Sequence, residues 1–319
     1  METVRELPRD VFINEIREAA IKNKNIYFIS ADLGAKALDR FRAELENQFI
    51  HAGISEQNMI DLAAGMTLSG KIVYVYAMAP FVTLRCFEQI KVAIASMRLP
   101  LTIVGIGAGY SYDDAGPTHY ATEDVSCMRA LGGIEILSPS DTSTVIEAAR
   151  LTYTKPHFRY VRLDRTYLPS LYNEGDTRFV EDGMVEVDKG KDICIMSSGY
   201  MIHRAKEVRK MVVDSGIDVG VIDVFRFKPI DGRVLMSVLQ PYRKVVTLEE
   251  HFLSGGLGSA VVEALVDHGI VKEVKRIGIR DQYYCENGGR AYLQKLSKID
   301  VQAVSEQVKH FAEKHHSAP

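Results

Sequence analysis

Apolar positions along this chain fall into short unbroken runs separated by stretches with a helical period. Ile26-Tyr27-Phe28-Ile29 and Ile72-Val73-Tyr74-Val75-Tyr76 read as buried strands, as do residues 101–106, 134–137 and 158–163. Between them, residues 10–21, 82–97, 122–131 and 142–153 carry apolar side chains at helical spacing. From 169 to 183 the chain turns polar and irregular, with Pro, Asn, Gly and Asp. A second alternation follows: strands at 193–197, 219–224 and 244–248, helices to 213, after Asp231 and over 257–266, and a charged helical tail from Ile299. Strands alternating with helices predict parallel sheets covered on both faces. The expected fold is therefore α/β, with two tandem doubly wound domains over 1–175 and 176–319.

Composition adds limits. The 319 residues are 46% apolar and 25% charged, with a net charge of −3, which gives no reason to expect nucleic acid or an acidic membrane surface as partner. No apolar run reaches the ~20 residues needed to span a bilayer. The start, Met-Glu-Thr-Val-Arg-Glu, has no signal-peptide core. Cys86, Cys127, Cys194 and Cys285 lie far apart and form no C-x-x-C. They read as free thiols of a reducing cytoplasm.

The stretch 49–66, Phe-Ile-His-Ala-Gly-Ile-Ser-Glu-Gln-Asn-Met-Ile-Asp-Leu-Ala-Ala-Gly-Met, joins a strand to a helix. Gly53 permits the turn, Ser55 suits the N-cap, and Met59, Ile60, Ala63, Ala64 and Met66 form the buried stripe. Glu56 stands in the first helical turn, at the carboxyl end of a strand, where open α/β sheets bind ligands. Two readings are open: a glutamate complementing the helix dipole, or a buried acid with a raised pKa. The loop 105–119, Gly-Ile-Gly-Ala-Gly-Tyr-Ser-Tyr-Asp-Asp-Ala-Gly-Pro-Thr-His, is the second informative stretch. Its glycines lack the helix and acidic residue of a dinucleotide site. A histidine can change its charge near neutrality, so His119 could move protons, or it could make a structural hydrogen bond. Phe81 follows a strand end. Arg9, Lys36 and Arg165 could meet a phosphate or be solvated surface charges.

Gly53-Ile54-Ser55-Glu56-Gln57-Asn58 followed by Ala63-Ala64-Gly65 resembles the pyrimidine-binding segment of transketolases and deoxyxylulose-phosphate synthases. Gly116-Pro117-Thr118-His119 is similar to the transketolase G-P-T-H. The likeness covers nearly the whole chain and is closest to the C-terminal subunit of a split, two-gene transketolase. It implies a thiamine-diphosphate pyrimidine-binding domain followed by a transketolase C-terminal-like domain. It implies that Glu56 holds N1′ of the aminopyrimidine and drives the tautomer that takes the thiazolium proton. Phe81 would stack on that ring, Ile54 and Asp32 would line the cofactor, and His119 would act on substrate oxygens. Arg9, Lys36 and Arg165 would anchor substrate phosphate. His251, in Glu249-Glu250-His251, falls in a domain of architecture and packing and receives no catalytic role. Glu88 and Gln89 would be structural or interfacial.

The loop also departs from the family. Ala115 takes the place of the aspartate that meets the acceptor's C2 hydroxyl, with Asp114 just before it. Gly107 takes the place of a further histidine. Tyr110, Tyr112 and Asp113 are the residues expected to fill the space. The family's Gly-Asp-Gly and asparagine motif for diphosphate and Mg²⁺ is not found. The resemblance therefore implies that a separate N-terminal subunit carries that site, in an α₂β₂ heterotetramer. The implied activity is transfer of a two-carbon ketol unit from a ketose or ketose phosphate to an aldehyde. Two alternatives stay open: the beta subunit of a 2-oxo acid dehydrogenase, and a scaffold or regulatory subunit that kept the fold.

Overall fold

The computed structural model describes residues 6–31, 34–173 and 175–313. Two parallel-rich α/β units follow one another, as the alternation of runs predicts. The first sheet takes β1 (Ile26–Ser30), β2 (Phe49–His51), β3 (Ile72–Met78), β4 (Thr102–Ile106), β5 (Glu135–Leu137) and β6 (Arg159–Leu163). The second takes β7 (Met184–Asp188), β8 (Asp192–Ser197) and β9 (Val219–Val224). The chain then forms β10 (Arg226–Lys228), β11 (Tyr242–Phe252) and β12 (Glu273–Ile279). The strand orders are β10-β5-β6-β4-β3-β1-β2 and β12-β11-β8-β9-β7. Two edge pairs run antiparallel, β10 against β5 and β7 against β9. The β10 pair carries a strand from the second half of the chain into the first sheet.

Burial on both faces explains why β3 is apolar throughout. Val73, Val75 and Ala77 join Met59, Ile60 and Ala63 in one core. Tyr74 and Tyr76 join Phe12, Ile16 and Phe28 in the other. The first core is covered by α3 (Glu56–Leu68), and the second by α1 (Pro8–Lys22) and α2 (Lys36–Glu44). A third core packs β8, β9 and β11 against the helices Tyr200–Val213 and Val301–Glu313.

The stretch 82–97 is not the continuous helix its spacing predicts. A short α4 (Ala79–Val82), with Pro80 in its first turn, gives way to turns, the single helical turn Phe87–Gln89, and a π-helix over Ile90–Ala95. The Thr83 hydroxyl donates to the Ala79 carbonyl at 2.6 Å and the Cys86 thiol donates to the Phe81 carbonyl at 3.2 Å. These bonds satisfy local carbonyls where the α-helical ladder stops.

Parallel registry aligns the carboxyl ends of the central strands. Ser30 lies beside both His51 and Tyr76, Met78 beside Ile106, and Ile106 beside Leu163. The loops after β2, β3, β4 and β6 thus emerge along one edge, where such sheets bind ligands.

Candidate active site

After β2 the backbone turns at Gly53, whose φ of +70° lies where side-chain-bearing residues are disfavoured. The Gly53 amide donates to His51 Nδ1 at 2.7 Å. Ser55 occupies the N-cap position of α3 but makes no capping bond; its hydroxyl donates back to the Ala52 carbonyl at 2.6 Å. That bond tightens the turn instead. Glu56, the first residue of α3, is only 4% exposed. Its carboxylate accepts a hydrogen bond from Arg85 Nη1 at 2.8 Å. Arg85 lies with its guanidinium carbon 4.2 Å from the centre of the Phe81 ring. The Phe81 ring meets the His119 ring edge-on at 5.0 Å.

The chain of contacts continues. His119 Nδ1 lies 2.9 Å from the Thr118 hydroxyl, and its ring is 5.9 Å from that of Tyr112. The Arg165 guanidinium stacks over Tyr112 at 4.6 Å and pairs with the exposed Asp114 at 3.5 Å. Glu56, Phe81, His119 and Arg165 are far apart in sequence, yet this path joins them.

The loop between β4 and His119 is held by the second half of the chain. The Tyr110 amide donates to Glu250 Oε2 at 2.9 Å, and the Tyr110 hydroxyl lies 2.9 Å from that of Ser297. Asp113 Oδ2 accepts from the Arg290 amide at 2.7 Å. The Arg290 side chain bonds Asp164 Oδ2 at 2.8 Å and Glu250 Oε2 at 2.7 Å, and stacks on Tyr200 at 3.6 Å. Burial alone would push the Asp164 carboxyl up; the Arg290 charge and its hydrogen bonds outweigh this and hold it below the usual carboxylate range. Tyr110 and Asp113 therefore face the second sheet, and of the three residues expected to fill the space beside Gly107 only Tyr112 does. A Cβ added at Gly107 would lie 2.2 Å from the Tyr112 ring.

Arg9, Lys36 and Ile54 do not join this path. Arg9, in the first turn of α1, forms an ion pair with Asp10 at 3.4 Å. Lys36 opens α2 and is exposed. Ile54 is 88% exposed, two residues before Glu56. Asp32 lies outside the described residues. His251 is buried, and that burial pushes its imidazole down to about 4. It touches Asp124 and Glu249 rather than the site. Among the described residues, no group of three or more His, Cys, Asp or Glu side chains is gathered as a metal site.

Sequence reasoning missed Arg85. Its available signal was a cation four residues after Phe81, a spacing that turns meaningful only once the chain breaks after α4. The Arg290–Glu250–Asp164 cluster was also missed, because its members come from three separate segments.

Chemically, Glu56 and Phe81 converge on one flat, N–H-bearing group, which here is the Arg85 guanidinium. A carboxylate at the rim and an aromatic face below suit any planar heterocycle that can donate or share a proton.

Residues 8–170 match the family described as transketolase, pyrimidine binding domain, and residues 183–304 match transketolase, C-terminal domain. The chain is similar to one of the subunits of the apulose-4-phosphate transketolase of Phocaeicola vulgatus, 32% identical over 86% of this chain and 88% of the relative. It is 30% identical to the 6-deoxy-6-sulfo-D-fructose transketolase subunit SqwH of Clostridium sp., over 86% of this chain and 84% of the relative. Among solved structures, a split gene transketolase described as an inactive beta4 tetramer superposes with a TM-score of 0.84 at 29% identity, covering 95% of this chain and 97% of that one.

Proposed function

Since the chain belongs to the transketolase family, we propose that it is the C-terminal subunit of a split, thiamine-diphosphate-dependent enzyme that moves a two-carbon ketol unit from a ketose or ketose phosphate to an aldehyde. The observation that carries this reading is the stand-in at the site. Arg85 makes the two contacts an aminopyrimidine needs, a hydrogen bond to Glu56 and a face-on stack against Phe81. A ring taking that place would displace the guanidinium. Held by Glu56 and Phe81, thiamine diphosphate would supply the nucleophilic and electron-sink chemistry needed to break the bond beside a ketose carbonyl.

This chain's own residues then have separable tasks. Glu56, shielded from water, shares a proton with a ring nitrogen at the start of α3. Phe81 holds that ring flat. His119, edge-on to Phe81 and bonded to Thr118, moves protons on substrate oxygens. Arg165 meets an anionic end of the substrate, with Arg9 and Lys36 as further candidates for phosphate. Ile54, exposed beside Glu56, and Asp32 contribute to the cofactor's surroundings. The partner is an N-terminal subunit that supplies the diphosphate and Mg²⁺ site, in an α₂β₂ heterotetramer. The large exposed side chains Ile54 (88%), two residues before Glu56, and Leu84 (37%), next to Arg85, suit a surface another chain covers. Among the described residues no helix is long and apolar enough to cross a membrane. With four unpaired cysteines the setting is the cytoplasm, in carbohydrate metabolism.

The test uses the complex co-purified with its partner. Glu56→Ala and Glu56→Gln should each lower ketol transfer by roughly 10²–10⁴-fold, the usual span for losing a positioned proton-transfer group. Circular dichroism and assembly should stay unchanged. Near-normal turnover in either variant would overturn the assignment.

A further inference from the structure

We propose that Tyr112 determines acceptor specificity, shaping a site for aldehydes with an anionic far end and no required hydroxyl beside the aldehyde carbon. This rests on the ketol-transfer reading above and adds the substrate class to it. Gly107 and Tyr112 compete for one volume. The Gly107 φ of +96° and a Cβ position 2.2 Å from the Tyr112 ring leave no room there for any other side chain. The Cδ2–Cε2 edge of the Tyr112 ring therefore fills the place where a side chain at position 107 would otherwise point.

The loop's acids are engaged elsewhere. Asp113 accepts from the Arg290 amide at 2.7 Å, and Asp114 is drawn to Arg165 at 3.5 Å with 74% of its side chain exposed. Position 115 is alanine and exposed. The stretch beside His119 thus offers a substrate the Tyr112 ring, and its one exposed carboxylate, Asp114, is turned to Arg165. A site built to hydrogen-bond a substrate hydroxyl rejects analogues lacking it by roughly 10⁴-fold or more, whereas an apolar wall discriminates weakly.

Tyr112 has a second task. Its ring stacks under the Arg165 guanidinium at 4.6 Å while lying 5.9 Å from the His119 ring. Those two contacts place the cation no farther from His119 than a short phosphorylated carbon chain can reach. A guanidinium stacked on a ring still presents its N–H edge, and a phosphate reaching Arg165 would replace the exposed Asp114 carboxylate now 3.5 Å away. Tyr112 is therefore a positioning residue for Arg165 and a wall for the acceptor.

The experiment uses the assembled complex saturated with thiamine diphosphate and a ketose phosphate donor. Acceptors are D-glyceraldehyde 3-phosphate, its L enantiomer, and 3-hydroxypropanal phosphate, which lacks the C2 hydroxyl. Wild type should show kcat/KM values within about tenfold of one another. Tyr112→His, placing a hydrogen-bonding ring in the same volume, should raise the preference for the D-hydroxyaldehyde at least tenfold. Tyr112→Phe should keep the wild-type ratios. Rejection of the deoxy acceptor by wild type, hundredfold or more, would overturn the proposal, as would Tyr112→Phe behaving like Tyr112→His. A binding arm needs no turnover: calorimetry with inorganic phosphate should show at least fivefold weaker binding in Tyr112→Ala and in Arg165→Ala, with thiamine diphosphate affinity unmoved. Unchanged phosphate binding in Tyr112→Ala would overturn the platform role. If phosphate binds as stated yet no acceptor is used, the ketol-transfer reading fails and the positioning of Arg165 by Tyr112 stands.

Discussion

Glu56 and Arg85 form a pair of unequal partners. The Glu56 side chain is 5% exposed and that of Arg85 is 43% exposed, so the cation can leave for water while the acid cannot. Half-exposed ion pairs contribute about 0–1 kcal/mol, and a guanidinium on an aromatic face about 0.5–1 kcal/mol. Arg85→Ala should therefore tighten thiamine diphosphate binding by the assembled complex up to about tenfold, read by calorimetry. Tenfold weaker binding would mean that Arg85 holds the cofactor rather than standing in for it. A second buried acid gives a pH signature. Burial pushes Asp223 up to about 7 against the pull of the hydroxyls of Ser140, at 2.6 Å, and Tyr172, at 2.8 Å. An unfolded aspartate loses its proton near 4. Between about pH 4 and 7 the unfolded chain has released that proton and the folded chain has kept it, so this group's contribution to stability falls as pH rises. The Tm of Asp223→Asn minus that of wild type should grow across this window; a difference flat with pH would contradict the assignment. The His251 imidazole, pushed down to about 4, acts with the opposite sign and is common to both proteins.

Among elements, the loops after β2 and β4 use glycine for different reasons. At Gly53, with φ +70°, a Cβ would meet nothing within 4 Å. Gly53→Ala should cost only the left-handed backbone penalty, about 1–2 kcal/mol. At Gly109, with φ +59°, a Cβ would lie 2.2 Å from the Glu250 carboxylate. Gly109→Ala should cost more and should also lift the β4 loop from the second sheet. Urea melts of the two variants compare the costs. Hydrogen exchange over residues 107–119 should rise in Gly109→Ala alone, and equal exchange in both would refute the distinction. The loop's grip was not legible in its sequence, because a glycine chosen for space and one chosen for φ are the same letter. The α3 start was legible, since Glu56 and the stripe of Met59, Ile60 and Ala63 repeat at helical spacing. The stretch 82–97 misled for the converse reason. Its apolar period survives the change from α- to π-helix, so periodicity cannot report the break that brings Arg85 onto Phe81.

At the scale of the whole molecule, the second half of the chain positions the first half's chemistry. Arg290 bridges Asp164, after β6, and Glu250, in β11, and its amide holds Asp113 in the loop that ends at His119. Removing one partner of a buried charge cluster costs about 3–5 kcal/mol, because the remaining charges lose their compensation. Arg290→Ala should lower stability by that order in denaturant melts and lower turnover of the complex through loss of loop order. Unchanged protection over residues 107–119 would show that the loop holds itself. The strand β10 adds a backbone tie, since Arg226 and Lys228 pair with Leu137 and Ile136 of the first sheet. Three residues are too few to show a period, and the tie had no counterpart in the sequence reading.

The order of runs along the chain determined the α/β architecture, because burial on two faces demands unbroken apolar strands. Two short motifs were enough to single out Glu56 and His119, since few residue types can share or move a proton beside a strand end. Tertiary structure alone decided what those residues face: Arg85 over Phe81, Tyr112 in the space beside Gly107, Arg290 between two acids. Such pairings depend on where loops turn and how closely separate segments approach, and neither leaves a periodic trace in the order of residues.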